Sequence, residues 1–129
     1  MTTRRDFITK GCAACMGVTG LAVLLQSCGS SLPVIKSAIT DQAIQVPVSS
    51  FPDKNNLLLV RNPKLENDIL LIKEQNSFKA LYLKCTHEGV ALTATQNKIY
   101  CTAHGSIFDF EGNVLKEPAL RPLKVFRTS

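Results

Sequence analysis

The chain's only two histidines each follow closely on a cysteine, as Cys85-Thr86-His87 and as Cys101-Thr102-Ala103-His104. Two thiols and two imidazoles at such spacings form a donor set for a soft or borderline metal centre. The set constrains the fold, because two short motifs, separated by 13 residues between His87 and Cys101, must face one another. Each motif also needs a loop that turns tightly round a small inorganic core. Gly89 and Gly105 stand in the two loops, and glycine permits the positive φ and close backbone approach that such a turn requires.

The segments that lead into the loops read as strands. Phe78, Ala80 and Tyr82 alternate with Lys79, Leu81 and Leu83, which predicts a strand over Phe78 to Lys84 running into Cys85. Lys98 to Tyr100 is a shorter strand running into Cys101. Further strands are expected over Ala43 to Val48, with Pro47 marking an edge, over Asn56 to Arg61, and over Ile69 to Glu74. Turn-rich stretches separate them, and no segment after residue 30 has a helical period. Short, evenly spaced strands predict an all-β sandwich or barrel.

The first 27 residues do not read as part of that fold. A basic start, an uncharged apolar run from Gly11 to Leu25, and then "LQSC" describe an export signal. Arg4 and Arg5, followed by Phe7 and Ile8, resemble the twin-arginine signal. The run has 15 residues, against about 20 for a membrane span. "LQSC" resembles the lipoprotein cleavage box, with Cys28 as the lipidated residue and Gln26 as a departure from the usual small or aliphatic residue. Residues 28–42 are expected to be a tether and residues 43–129 the folded domain. Cys12 and Cys15 fall in the leader, so with Cys28 lipidated only Cys85 and Cys101 remain as thiols.

Charge excludes one class of partner. The net charge is +5, of which residues 1–27 contribute +2. The rest is mildly basic with its cations scattered, which does not support nucleic-acid binding.

The metal is open at this point. Zinc accepts two cysteines and two histidines, but its sites usually pair like ligands a few residues apart. Here each loop supplies one of each, which suits a two-iron cluster with both thiolates on one iron and both imidazoles on the other. The pattern C-x-H followed by C-x-x-H-G-S closely resembles the Rieske iron–sulfur family, and "GNVLKEPALRPLKVF" (Gly112 to Phe126) is similar to its proline loop, with Pro118, and closing strand.

The resemblance implies an antiparallel all-β sandwich or barrel and one [2Fe-2S] cluster, held by Cys85, His87, Cys101 and His104 in a small subdomain of about residues 84–118. It implies that Ser106 can hydrogen-bond a bridging sulfide. Gly89, Gly105 and Pro118 would shape the surroundings. Two cysteines that clamp the loops in high-potential members correspond to Val90 and Ala103, and a tyrosine of that class corresponds to Phe108, which cannot donate. Glu88 stands where many members carry an apolar residue at the docking tip, and it reads as a solvated charge. With neutral imidazoles the oxidised cluster has no net charge, whereas an all-thiolate cluster is already dianionic. Histidine ligation therefore eases reduction.

The function expected is one-electron transfer by a lipid-anchored protein facing the periplasm or cell exterior. Its partners would be redox proteins, such as a cytochrome, a quinol-oxidising complex or an oxidoreductase subunit. One alternative is a relay subunit of a cytochrome bc-like complex or exported oxidoreductase; another is a redox-silent lipoprotein with structural zinc. A self-sufficient enzyme is less expected, since an oxygenase iron site needs two histidines and a carboxylate beyond the pair already used.

Overall fold

The apolar run Leu57-Leu58-Leu59-Val60 lies inside the main sheet, where a strand covered on both faces needs no polar alternation. The computed structural model describes residues 31–129. Its elements are β1 (Val34–Lys36), β2 (Ile39–Thr40), β3 (Ala43–Ile44), a 3-10 turn (Val48–Ser50), β4 (Leu57–Arg61), β5 (Ile69–Lys73), β6 (Phe78–Tyr82), β7 (Thr93–Ala94), β8 (Ile99–Tyr100), β9 (Ile107–Phe108), β10 (Val114–Lys116) and β11 (Val125–Phe126). One sheet has the order β1-β4-β5-β6-β11, a second has β10-β9-β8-β7, and β2 and β3 form a separate hairpin. All pairings are antiparallel except β1 with β4. The all-β expectation therefore holds.

Two apolar clusters use the two faces of the five-stranded sheet. Leu57, Leu70, Ile72, Leu81 and Leu83 meet Ile99, Phe108, Ala119 and Leu123 from the smaller sheet and the chain that follows it. Val60, Ile69 and Ala80 lie in the second cluster, covered by Ile35, Ile44, Val46 and Phe126. The β9–β10 hairpin is fixed to the main sheet at Gly112. This residue has φ +89, and a Cβ on it would stand 3.2 Å from Leu81 Cδ2. Leu123 donates its N–H to the Gly112 carbonyl at 2.8 Å. Beside this contact Lys79 on β6 pairs with Glu111 in the hairpin and with Glu74 at the end of β5.

Two expectations need correction. The tether reading of residues 28–42 fails from Val34 onward, because β1 pairs in parallel with the edge of β4, where Val34 aligns with Leu59. Leu32 is buried, and Asn62 donates to the Ser37 carbonyl, so this stretch is bound to the sheet. The strand expected over Ala43 to Val48 is only Ala43–Ile44; Pro47 cannot donate to a ladder, and the chain turns at Val48–Ser50.

Candidate metal centre

The two loops are built on one backbone frame. In the first, Cys85 donates its N–H to the Val90 carbonyl and Gly89 donates to the Cys85 carbonyl, both at 2.8 Å. In the second, Cys101 donates to the Ser106 carbonyl at 2.8 Å and Gly105 donates to the Cys101 carbonyl at 2.9 Å. Each cysteine thus opens a turn that closes five residues later, with glycine as its fifth member. Gly89 has φ +73 and Gly105 has φ +82, the conformation that glycine adopts without the strain of a Cβ.

The frame sorts the four candidate ligands by burial. Cys85 and Cys101 are free thiols, only 2% and 1% exposed, and both belong to the core between the sheets. His87 and His104 are exposed at the loop tips, with ring centroids 5.0 Å apart and planes nearly perpendicular. The loops therefore give a site with sulfur at its base and imidazole at its rim.

A third segment closes the site from the side. Ala119 donates its N–H to Ser106 Oγ at 3.0 Å, and Thr86 Oγ1 donates to the Arg121 carbonyl at 2.6 Å. One bond ties residues 119–121 to the second loop and the other ties them to the first. Pro118 leads into this segment, half-buried, after a cis peptide bond. Ser106 and Phe108 are fully buried, with Phe108 packed in the core rather than at the rim. Sequence reasoning missed Thr86, Ala119 and Arg121, because their contacts join positions far apart in the chain and none carries a local signal.

Lys84, next to Cys85, braces the first loop from outside. Its Cε lies 3.1 Å from where a Gly89 Cβ would be, and its ammonium bonds Glu66 at 2.6 Å. That hydrogen bond to Glu66 raises the Lys84 pKa above its ordinary value. Glu88, read from sequence as a solvated charge, is exposed but places Oε2 3.4 Å from His104 Nε2. Arg4, Arg5 and Cys28 lie outside the described residues.

The profile of the Rieske [2Fe-2S] domain matches residues 45–127, a span that includes both loops and the closing strand. The chain belongs to the Rieske [2Fe-2S] family. A crystal structure similar to this Rieske chain is that of the cyanobacterial plasma membrane Rieske protein PetC3 from Synechocystis PCC 6803. It is 28% identical, with a TM-score of 0.48 over 57% of this chain and 77% of that one. No curated protein matches the chain.

A Rieske domain carries one [2Fe-2S] cluster and has an electron-transfer role, which sets aside the structural-zinc alternative. The residues present fit that group. Two buried thiols and two exposed imidazoles, delivered by matched turns, are the mixed donor set it requires. Ser106 Oγ accepts the Ala119 N–H and has no protein acceptor for its own proton among the described residues.

Proposed function

We propose that Cys85, His87, Cys101 and His104 hold the cluster, and that the protein passes one electron at a time between redox partners at the exposed imidazole rim. When bound, the cluster supplies the one-electron chemistry. Cys85 and Cys101 anchor it from the core, where apolar neighbours keep water from the sulfur side. His87 and His104 hold the outer side and present ring edges at the surface. The backbone turns at Gly89 and Gly105 fix both pairs, and residues 119–121 cover the flank.

The observation that carries this reading is the split in burial, with both thiols in the core and both imidazoles at the surface. An electron entering or leaving by the imidazole edge travels through the fewest protein atoms. The protein's part in electron transfer is then ligand geometry, local charge and access.

On the same reading the chain is exported through the twin-arginine signal at Arg4 and Arg5 and anchored by lipid on Cys28. It faces outward from the membrane and serves a cytochrome, a quinol-oxidising complex or an oxidoreductase subunit. Support comes from the leader sequence. Among the described residues no helix is long and apolar enough to cross a membrane.

The test is a spectroelectrochemical titration of the purified protein. The expected result is a visible band that bleaches reversibly, with one electron taken up per chain. A colourless protein, or one that takes up no electron, contradicts the reading.

A further inference from the structure

The shared turn frame allows the loops to be compared position by position. Cys85 matches Cys101 and Gly89 matches Gly105, through the same pair of backbone hydrogen bonds. The positions between them differ: His87 matches Ala103, and Glu88 matches His104. Glu88 thus occupies the place in the first loop that a ligand occupies in the second. Its side chain crosses to that ligand, with Oε2 3.4 Å from His104 Nε2. His87, Glu88 and His104 form one group, their donor atoms within 4.8 Å of one another.

The contact is electrostatic. At 3.4 Å it is too long to be a good hydrogen bond, and the side chains are 36% and 56% exposed at His104 and Glu88. A negative charge held there acts on whatever charge the site gains. Reduction adds one electron, so a neighbouring carboxylate favours the oxidised state.

We propose that Glu88 tunes the reduction potential of the site, lowering it through the charge it holds against the outer edge of His104. The inference rests on the ligand assignment made above. A solvated charge pointing away from the rim would have little such influence. The turn between Cys85 and Gly89 instead places Glu88 on the side of the imidazoles, in contact with His104. The effect is moderate, because water and salt screen a half-exposed charge.

The experiment compares the cluster-loaded parent protein with Glu88→Gln and Glu88→Lys. Each is equilibrated with a one-electron mediator dye of known potential, at one pH and low salt. Glu88→Gln is expected to shift the equilibrium roughly three-fold toward reduced protein, and Glu88→Lys roughly ten-fold. Both shifts should shrink in about 1 M salt, where screening is nearly complete beyond a few ångströms. Glu88→Asp, which keeps the charge, should stay nearest the parent. Equal equilibria in all four proteins, or a shift toward the oxidised form, would overturn the inference. The visible spectrum separates this result from failure of the ligand reading. A parent without a cluster removes both, whereas a loaded series with one common equilibrium removes only the role of Glu88.

Discussion

Ser106 and Ala119 are both fully buried, and Ser106 Oγ accepts the Ala119 N–H at 3.0 Å. The bond joins the end of the second candidate loop to the segment that covers the site. It also orients the hydroxyl, since the oxygen is engaged on one side and its proton must point elsewhere.

Ser106→Ala should therefore act twice. It leaves a buried N–H without an acceptor, at a cost of about 1–3 kcal/mol in a denaturant titration. It should also lower the reduction potential while the cluster stays in place. A hydroxyl bond that strengthens by about 1–2 kcal/mol on reduction corresponds to a shift of roughly 40–85 mV. Voltammetry of parent and variant measures the second effect. An unchanged potential would mean that the hydroxyl does not face the cluster.

Gly105 and Gly112 both have positive φ, but their surroundings differ. A Cβ at Gly105 meets nothing within 4 Å, whereas one at Gly112 stands 3.2 Å from Leu81 Cδ2 and 3.5 Å from Leu123 Cβ. Gly105→Ala should cost only the conformational strain, about 1–2 kcal/mol. Gly112→Ala adds overpacking, typically a further ~1–3 kcal/mol, and should loosen the hairpin from β6. Denaturation midpoints of the two variants should fall in that order, with Gly112→Ala the less stable.

The ion-pair cluster beside Gly112 predicts an acid-side effect. A hydrogen bond from Ser77, and then the contact with Lys79, hold the Glu74 carboxyl below its ordinary value of 4.5. A group depressed in the folded state stabilises above its unfolded pKa, and loses that contribution as pH falls through the folded one. Glu74→Gln should match the parent most closely at the lowest pH and lag slightly behind it above about pH 4.5. The lag should be small, because exposed ion pairs contribute little. Urea unfolding between about pH 3 and pH 6 measures it.

Much of this was legible in the sequence, and the reasons are physical. β4, β5, β6 and β8 could be read because their apolar residues are periodic or continuous, and the two loops because their candidate ligands and glycines are close in sequence. The hairpin of β2 and β3 was not legible. Its turn residues Asp41 and Gln42 adopt φ +51 and +65 without a glycine to signal it. β1 is three residues long, too short for a periodic signal, and is defined by its parallel pairing along the edge of β4. The bonds Ala119–Ser106 and Thr86–Arg121 depend on how the third segment returns to the loops, which no local pattern encodes. Glu88 was visible as a charge, but its direction followed only from the turn.

Export and anchoring are tested on the leader. Replacing Arg4 and Arg5 together by lysine should leave the protein in the cytoplasm, detected by cell fractionation. Cys28→Ser should yield a soluble protein or an uncleaved precursor, because stable attachment takes more than one acyl chain. If the Cys28→Ser variant still matures to the same acyl-bearing, membrane-bound species, the lipoprotein reading is wrong.

The central claim is that His87 and His104 both ligate a redox-active cluster whose sulfur ligands come from the core. Electron–nuclear double resonance on the reduced protein, with histidine labelled by the heavy nitrogen isotope, addresses it most directly. The account predicts a paramagnetic centre coupled to two histidine nitrogens, with at least one coupling lost in His104→Ala. A centre with no histidine coupling, or a reduced protein with no paramagnetic signal, would contradict it.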